Sequence, residues 1–127
     1  MPVQEKVAQV AFTQATGLSP EQIREAGLRS LEAGKRFMNT TITENGVEGS
    51  SIRYLAKGPG GFVKQMAMVV RWTEDGNGRR TVRFSIDDYL TLQSKFLVFI
   101  PVGPKRVPAL PSAQRFAEAL RAELALA

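Results

Sequence analysis

The sequence predicts an α+β fold, in which an antiparallel sheet of five to six strands packs on a C-terminal helix in the order β-α-βββββ-α. Three observations predict it. A capped helical pattern stands near the N-terminus, a long central stretch alternates apolar and polar residues with period two, and a single apolar stripe runs along the C-terminal segment. With 127 residues and no internal repeat, the chain is expected to form a single domain, 1–127, around one core.

The N-terminal part of the sequence predicts a strand followed by a helix. Residues 6–12 alternate well enough for a first strand. Ser19 then has the character of a helix N-cap, because Pro20 suits the first helical position and Gln22 can reach back as in a capping box. Gly34 is the expected end of this helix.

The central part of the sequence predicts an antiparallel β-meander. Asn45-Gly46, the glycine-rich segment 58–61 and the segment 75–78 are expected turns, because their residues favour positive φ. The pattern predicts five strands, at about residues 37–44, 50–57, 62–74, 81–87 and 96–100.

The C-terminal part of the sequence predicts a proline-rich connecting loop, 101–111, followed by a helix of about 13 residues that Ser112 caps. Its apolar stripe predicts contact with the sheet. The stripe consists of Ala113, Phe116, Ala117, Leu120 and Leu124.

This order of elements resembles that of helix-grip domains, the START-like and Bet v 1-like proteins, in which a curved sheet wraps a long C-terminal helix. The resemblance covers most of the chain and rests on topology, so it implies a fold and no functional residues. The chain departs from the pattern in its short C-terminal helix and in lacking one of the usual N-terminal helices.

The composition excludes several kinds of chemistry. There is no cysteine and no histidine, which removes disulfides, thiolate catalysis, Ser-His and HExxH sites, and zinc sites that need Cys or His. Asp87 and Asp88 are neighbours on a strand and should face opposite sides. We therefore expect no catalytic residue, no metal site and no cofactor, and we favour a noncatalytic protein. The less favoured alternative is an enzyme that uses a lone carboxylate, Tyr54, Tyr89 or a lysine as general base.

Two binding functions remain. The first is binding of an apolar or amphipathic small molecule between the sheet and the C-terminal helix. A row of methionine and aromatic residues on the inner face suits an adaptable pocket. The competing interpretation is a packed core, which is the default for a protein interior. The candidate lining residues are Tyr54, Met66, Met68, Trp72, Phe84, Phe99 and Phe116.

The alternative is an interaction module for an anionic partner, either nucleic acid or a membrane surface. A net charge of +5 permits it, and a basic outer face of the sheet would carry it. The aromatic residues fall on the inner side, which favours an ordinary solvated face and makes nucleic acid the weaker partner. The candidate residues are Arg53, Lys57, Arg71 and Arg83, with Arg79, Arg80, Lys105 and Arg106 nearby.

Further expectations concern location and assembly. The longest apolar run, 96–102, is too short for a transmembrane segment, and the N-terminus lacks the pattern of a signal peptide, so a cytoplasmic protein is expected. The long third and fourth strands leave an edge on which a homodimer could form by strand pairing.

Overall fold

The computed structural model describes residues 3–35, 40–58, 63–91, 95–96, 100–101 and 106–126. Three helices and seven strands are formed in this part of the chain. They are α1 (Val3–Val10), β1 (Phe12–Thr16), α2 (Pro20–Gly34), β2 (Thr41–Glu48), β3 (Ser51–Lys57), β4 (Lys64–Gly76), β5 (Arg79–Tyr89), β6 (Lys95–Phe96), β7 (Ile100–Pro101) and α3 (Leu110–Ala125).

The first five strands form one antiparallel sheet in the order β1-β5-β4-β3-β2. Strand β1 is therefore an edge strand beside β5, and β2 is the other edge. Helix α3 packs against α2 and lies on the sheet, in contact with β1. The predicted α+β class, with an antiparallel sheet packed on the C-terminal helix, is confirmed.

The core lies between the helices and one face of the sheet. Alternate residues of β3, β4 and β5 point into it, and the apolar stripe of α3 is buried against them. The Phe116 ring lies 4.9 Å from the Tyr54 ring and 5.9 Å from the Phe84 ring, centroid to centroid. Offset and tilted ring pairs at this spacing add to the stabilisation from apolar burial.

Helix α2 begins as its sequence predicts. Ser19 accepts a hydrogen bond from the Gln22 backbone N–H at 3.2 Å, and the Gln22 side chain accepts one from the Ser19 N–H at 2.9 Å. This capping box satisfies two donors at the start of the helix, and Pro20 occupies the first turn. The helix runs to Gly34, which is buried.

The predicted strand at residues 6–12 is wrong, because the chain is helical as far as Val10 and the first strand begins at Phe12. Val3, Val7 and Val10 recur at helical spacing, and Val7 is buried in the core while the other two pack against it. Burial of this one helical face outweighs the local alternation of residues 6–12.

The Asn45-Gly46 turn is also misplaced. Both residues lie inside β2, where the pairing with β3 shifts between Glu44 and Val47, and Gly46 has a φ of 121°. The reversal falls after Glu48 instead, so the dipeptide forms a bulge on an edge strand. The β4–β5 reversal at Asn77-Gly78 is correct, with φ values of 55° and 76° that a two-residue type I′ turn requires.

Two further boundaries differ from the predicted ones. Phe96 and Ile100, the described ends of the predicted last strand, do not join the sheet, because β6 and β7 pair antiparallel with each other in a separate two-stranded ribbon. Residues 97–99 lie outside the described part of the chain. Helix α3 begins at Leu110, with Pro111 in its first turn, so Ser112 is a buried residue inside the helix and not its cap. Proline is well tolerated in a first turn, which explains the earlier start.

Candidate functional site

The predicted lining row forms a packed part of the core. Tyr54, Met66, Met68, Phe84 and Phe116 are at most 1% exposed. Trp72 is 7% exposed at the end of the same face, and Phe99 lies outside the described residues. The aromatic rings contact one another directly, so these residues fill the space between the sheet and α3 at this level. That they line a ligand cavity stays a prediction.

An open groove lies along an adjacent face of the same helix. It runs between α3, the edge strand β1 and helix α1, and it has a volume of about 420 Å³. This volume is in the range typical of small-molecule sites. We call it the α1–α3 groove. Its apolar lining consists of Val10, Ala11, Phe12, Leu110 and Ala117.

Helical spacing explains how α3 serves two surfaces at once. The residues of α3 that line the groove are four, three, one and three positions apart, a stripe adjacent to the one buried on the sheet. Ala117 belongs to both stripes. On α1, Lys6, Gln9 and Val10 face the groove in the same way, whereas Val7 faces the core.

The rest of the groove lining is polar and includes three charged side chains. Its residues are Lys6, Gln9, Gln114, Glu118 and Arg121, all exposed. An apolar lining that also carries separate polar groups suits a molecule with an apolar body and a polar end.

Arg121 lies over the one aromatic ring of the groove. Its guanidinium carbon is 5.7 Å from the centroid of the Phe12 ring, a cation–π arrangement, and its Nε donates to the Gln14 side-chain carbonyl at 3.4 Å. Both contacts hold the guanidinium near β1. Among the described residues no carboxylate lies within ion-pair distance of it.

Two core residues of the predicted lining row, Phe84 and Phe116, pack beneath the groove residue Phe12. The Phe12 ring stacks on Phe84 at 5.6 Å with an interplanar angle of 13°, and Phe84 in turn contacts Phe116. Phe12 is 8% exposed and pairs in register with Phe84 across β1 and β5. The lining of the groove is thus held by the rigid core, which favours a preformed site.

The basic-face residues do share the outer side of the sheet, but acids accompany them. Arg71 and Arg83 are register partners on β4 and β5, and Arg53 lies beside them on β3. Arg53 is 3.7 Å from Glu48, and Arg71 is 3.7 Å from Asp87. Lys57 is half-buried at the end of β3, where it pairs in register with Lys64.

The adjacent acids are not brought together. The carboxylate of Asp87 lies near Arg71, whereas that of Asp88 lies 3.9 Å from the Lys64 ammonium. In the part of the chain that the structure describes, no three acidic side chains are grouped as metal ligands. None of the described helices is long and apolar enough to cross a membrane.

The phenol of Tyr54 has a strongly shifted pKa. Burial raises the pKa of its phenol well above the ordinary value, with the nearby Glu44 carboxylate adding to the increase and Arg24 opposing it. Arg24 and Glu44 form an ion pair at 2.9 Å between α2 and β2. The phenol therefore stays protonated at neutral pH, and Tyr54 is a core side chain that does not line the groove.

Sequence reasoning missed the groove because residues 6–12 were interpreted as a strand. A strand at this position would have removed the wall that α1 provides. The helical spacing of Val3, Val7 and Val10 was the available signal.

No family model matches this chain, and no curated protein or solved structure matches it at a significant level.

Proposed function

We propose that this protein is a noncatalytic binding domain that takes an amphipathic small molecule in the α1–α3 groove, between the sheet edge and the C-terminal helix. The observation that carries the proposal is the groove itself, with an apolar lining centred on Phe12 and charged groups beside it. Its volume of about 420 Å³ suits a small ligand, and the Phe12–Phe84 stack holds it in shape.

The choice of groove over buried core follows from packing. A ligand between β4 and α3 would have to displace Met66, Met68 and Phe116, which are at most 1% exposed. Displacing packed side chains of this size costs several kcal/mol (~2–5 each). The groove needs no such displacement, because its volume is already open.

The test is an NMR titration of the labelled full chain with 1-octanol, a neutral amphiphile. The expected result is a saturable shift of backbone amides around Phe12 and Ala117. Gln114→Trp should abolish it by filling the groove from an exposed position of α3. Arg115→Trp, an equally exposed neighbour that does not line the groove, should retain it. Shifts that are absent, or that Gln114→Trp leaves intact, would refute the proposal.

A second candidate is binding of an anionic partner on the outer face of the sheet. Arg83 favours it. This residue is exposed, lies opposite Arg71 in the sheet, and has no acidic side chain within 4.0 Å of its own guanidinium among the described residues. The ion pairs of Arg53 and Arg71 weaken it, since they reduce the net charge of this face. Retention of DNA, RNA or anionic vesicles that falls with salt and with Arg83→Gln would support it, and retention unaffected by either would exclude it.

A further inference from the structure

We propose that the ligand of the α1–α3 groove is an anionic amphiphile, with a carboxylate head bound by Arg121 and Lys6 and an alkyl portion lying on Phe12. This inference rests on the proposed function and specifies its ligand class. It follows from the charges of the groove, the state of the Arg121 guanidinium and the placement of that group over the aromatic lining.

The charges favour an anion. Of the three charged side chains in the lining, Lys6 and Arg121 are positive and only Glu118 is negative. The Glu118 carboxylate accepts a hydrogen bond from the Gln114 amide at 3.5 Å, a partner on its own helix. Neither cation has an acidic side chain within 4.0 Å in the described ranges, so the groove keeps an excess positive charge.

The guanidinium of Arg121 has hydrogen-bond donors that no described protein group uses. Its Nε is used on Gln14, at 3.4 Å, and its face lies over the Phe12 ring. A planar guanidinium carries five N–H groups and matches a carboxylate with two parallel hydrogen bonds. The terminal N–H groups have no hydrogen-bond partner among the described residues, and the contacts to Gln14 and Phe12 limit the entropy lost on binding.

The apolar portion of the ligand then has a defined place. Because Arg121 sits over Phe12, a head group bound to the guanidinium begins next to the ring, and the alkyl chain can continue over Ala117 toward Leu110. An apolar strip beside a basic group is the complementary surface for a carboxylate with an alkyl tail.

The experiment compares octanoate, 1-octanol and octylammonium, which share one alkyl chain, by NMR titration of the full chain at neutral pH. We expect octanoate to bind about tenfold more tightly than 1-octanol, which is the order of gain from two partly exposed ion pairs, one with Arg121 and one with Lys6. Octylammonium should bind more weakly than 1-octanol. The preference for octanoate should decrease as salt is raised, because the groove is open to solvent.

The variants assign the preference to residues. Arg121→Gln and Lys6→Gln should each lower the ratio of the octanoate affinity to the 1-octanol affinity, as expected when a partly exposed ion pair is lost. Arg121→Lys should retain part of the preference, because the charge remains and the planar fork is lost. Arg115→Gln removes the same charge from an exposed position of α3 outside the groove and should change neither affinity.

The outcomes separate the two proposals. Equal binding of the three amphiphiles at the groove would overturn the ligand class and leave the proposed function standing. Binding of none of them would overturn both. Cosedimentation with phosphatidylglycerol vesicles in the absence of octanoate binding would also overturn the ligand class, in favour of a membrane surface.

Discussion

We expect replacement of Gly27 in α2 by alanine to destabilise the protein, because of a single atom of Tyr54. A Cβ added at Gly27 would overlap the Tyr54 hydroxyl oxygen and lie 3.2 Å from the ring carbon that carries it. Tyr54 cannot swing away freely, since it is only 1% exposed and its ring packs on Phe116. Gly27→Ala therefore sets a favourable helix substitution against a packing conflict.

The two effects have known sizes. Replacing glycine by alanine inside a helix stabilises it by about 1 kcal/mol. Inserting a methyl group into a packed core costs about 1–3 kcal/mol. Because the added Cβ would overlap a buried oxygen, we expect a cost at the upper end of this range, about 2–3 kcal/mol. After the helix gain is subtracted, Gly27→Ala should lower the free energy of unfolding by about 1–2 kcal/mol, a large share of the 5–15 kcal/mol typical of a domain.

Urea unfolding followed by far-ultraviolet circular dichroism measures this effect, and a double-mutant cycle assigns it. Tyr54→Phe removes the conflicting oxygen, so Gly27→Ala should stabilise the protein in that background by up to the helix gain of about 1 kcal/mol, with a coupling energy of about 2–3 kcal/mol, the size of the removed conflict.

Gly34→Ala is the matched control. Its added Cβ would meet Ile42 at 2.6 Å and Ser112 at 3.0 Å, and not Tyr54. It should destabilise the protein about equally in both backgrounds. A Gly27→Ala protein as stable as the wild type, or a coupling energy near zero, would refute the reasoning.

Three further predictions follow from individual side chains. The Ser112 hydroxyl is buried without a hydrogen-bond partner among the described residues, so Ser112→Ala should raise the free energy of unfolding by about 1 kcal/mol, as urea titration would show. Ser19→Ala removes the cap of α2 and should lower the free energy of unfolding by about 1 kcal/mol in the same assay. A decrease of less than about 0.3 kcal/mol would contradict the capping role. Because the pKa of the Tyr54 phenol is raised, the folded state keeps this proton at pH values where the unfolded state releases it, above the ordinary tyrosine pKa of 10.0. Stability should therefore be unaffected below that pH and fall above it by about 1.4 kcal/mol per pH unit, a slope that denaturant titration detects and that Tyr54→Phe should remove.

Several parts of the fold could be predicted because their signals are local. The Ser19, Pro20 and Gln22 pattern specifies the start of α2 through hydrogen bonds within one turn of helix. The alternation in β3, β4 and β5 reflects burial of one face, and the structure confirms it. The Asn77-Gly78 reversal follows from the few residues that accept positive φ.

Other parts could not be predicted because distant contacts outweigh local preference. Asn45-Gly46 has the composition of a turn, yet β2 continues through it by pairing with β3. Residues 6–10 can alternate as a strand or present one helical face, and burial of Val7 selects the helix. Periodicity within so short a segment does not separate the two.

The candidate site divides in the same way. The sequence by itself determined that histidine and cysteine chemistry is absent, that the inner face is rich in aromatic residues, and that α3 has one apolar stripe. Only the tertiary structure decided that this row is packed, that the adjacent stripe of α3 meets β1 and α1, and that Arg121 lies over Phe12. A groove is the space that three separate segments leave between them. Its shape depends on how those segments pack, and no local pattern in the chain encodes that.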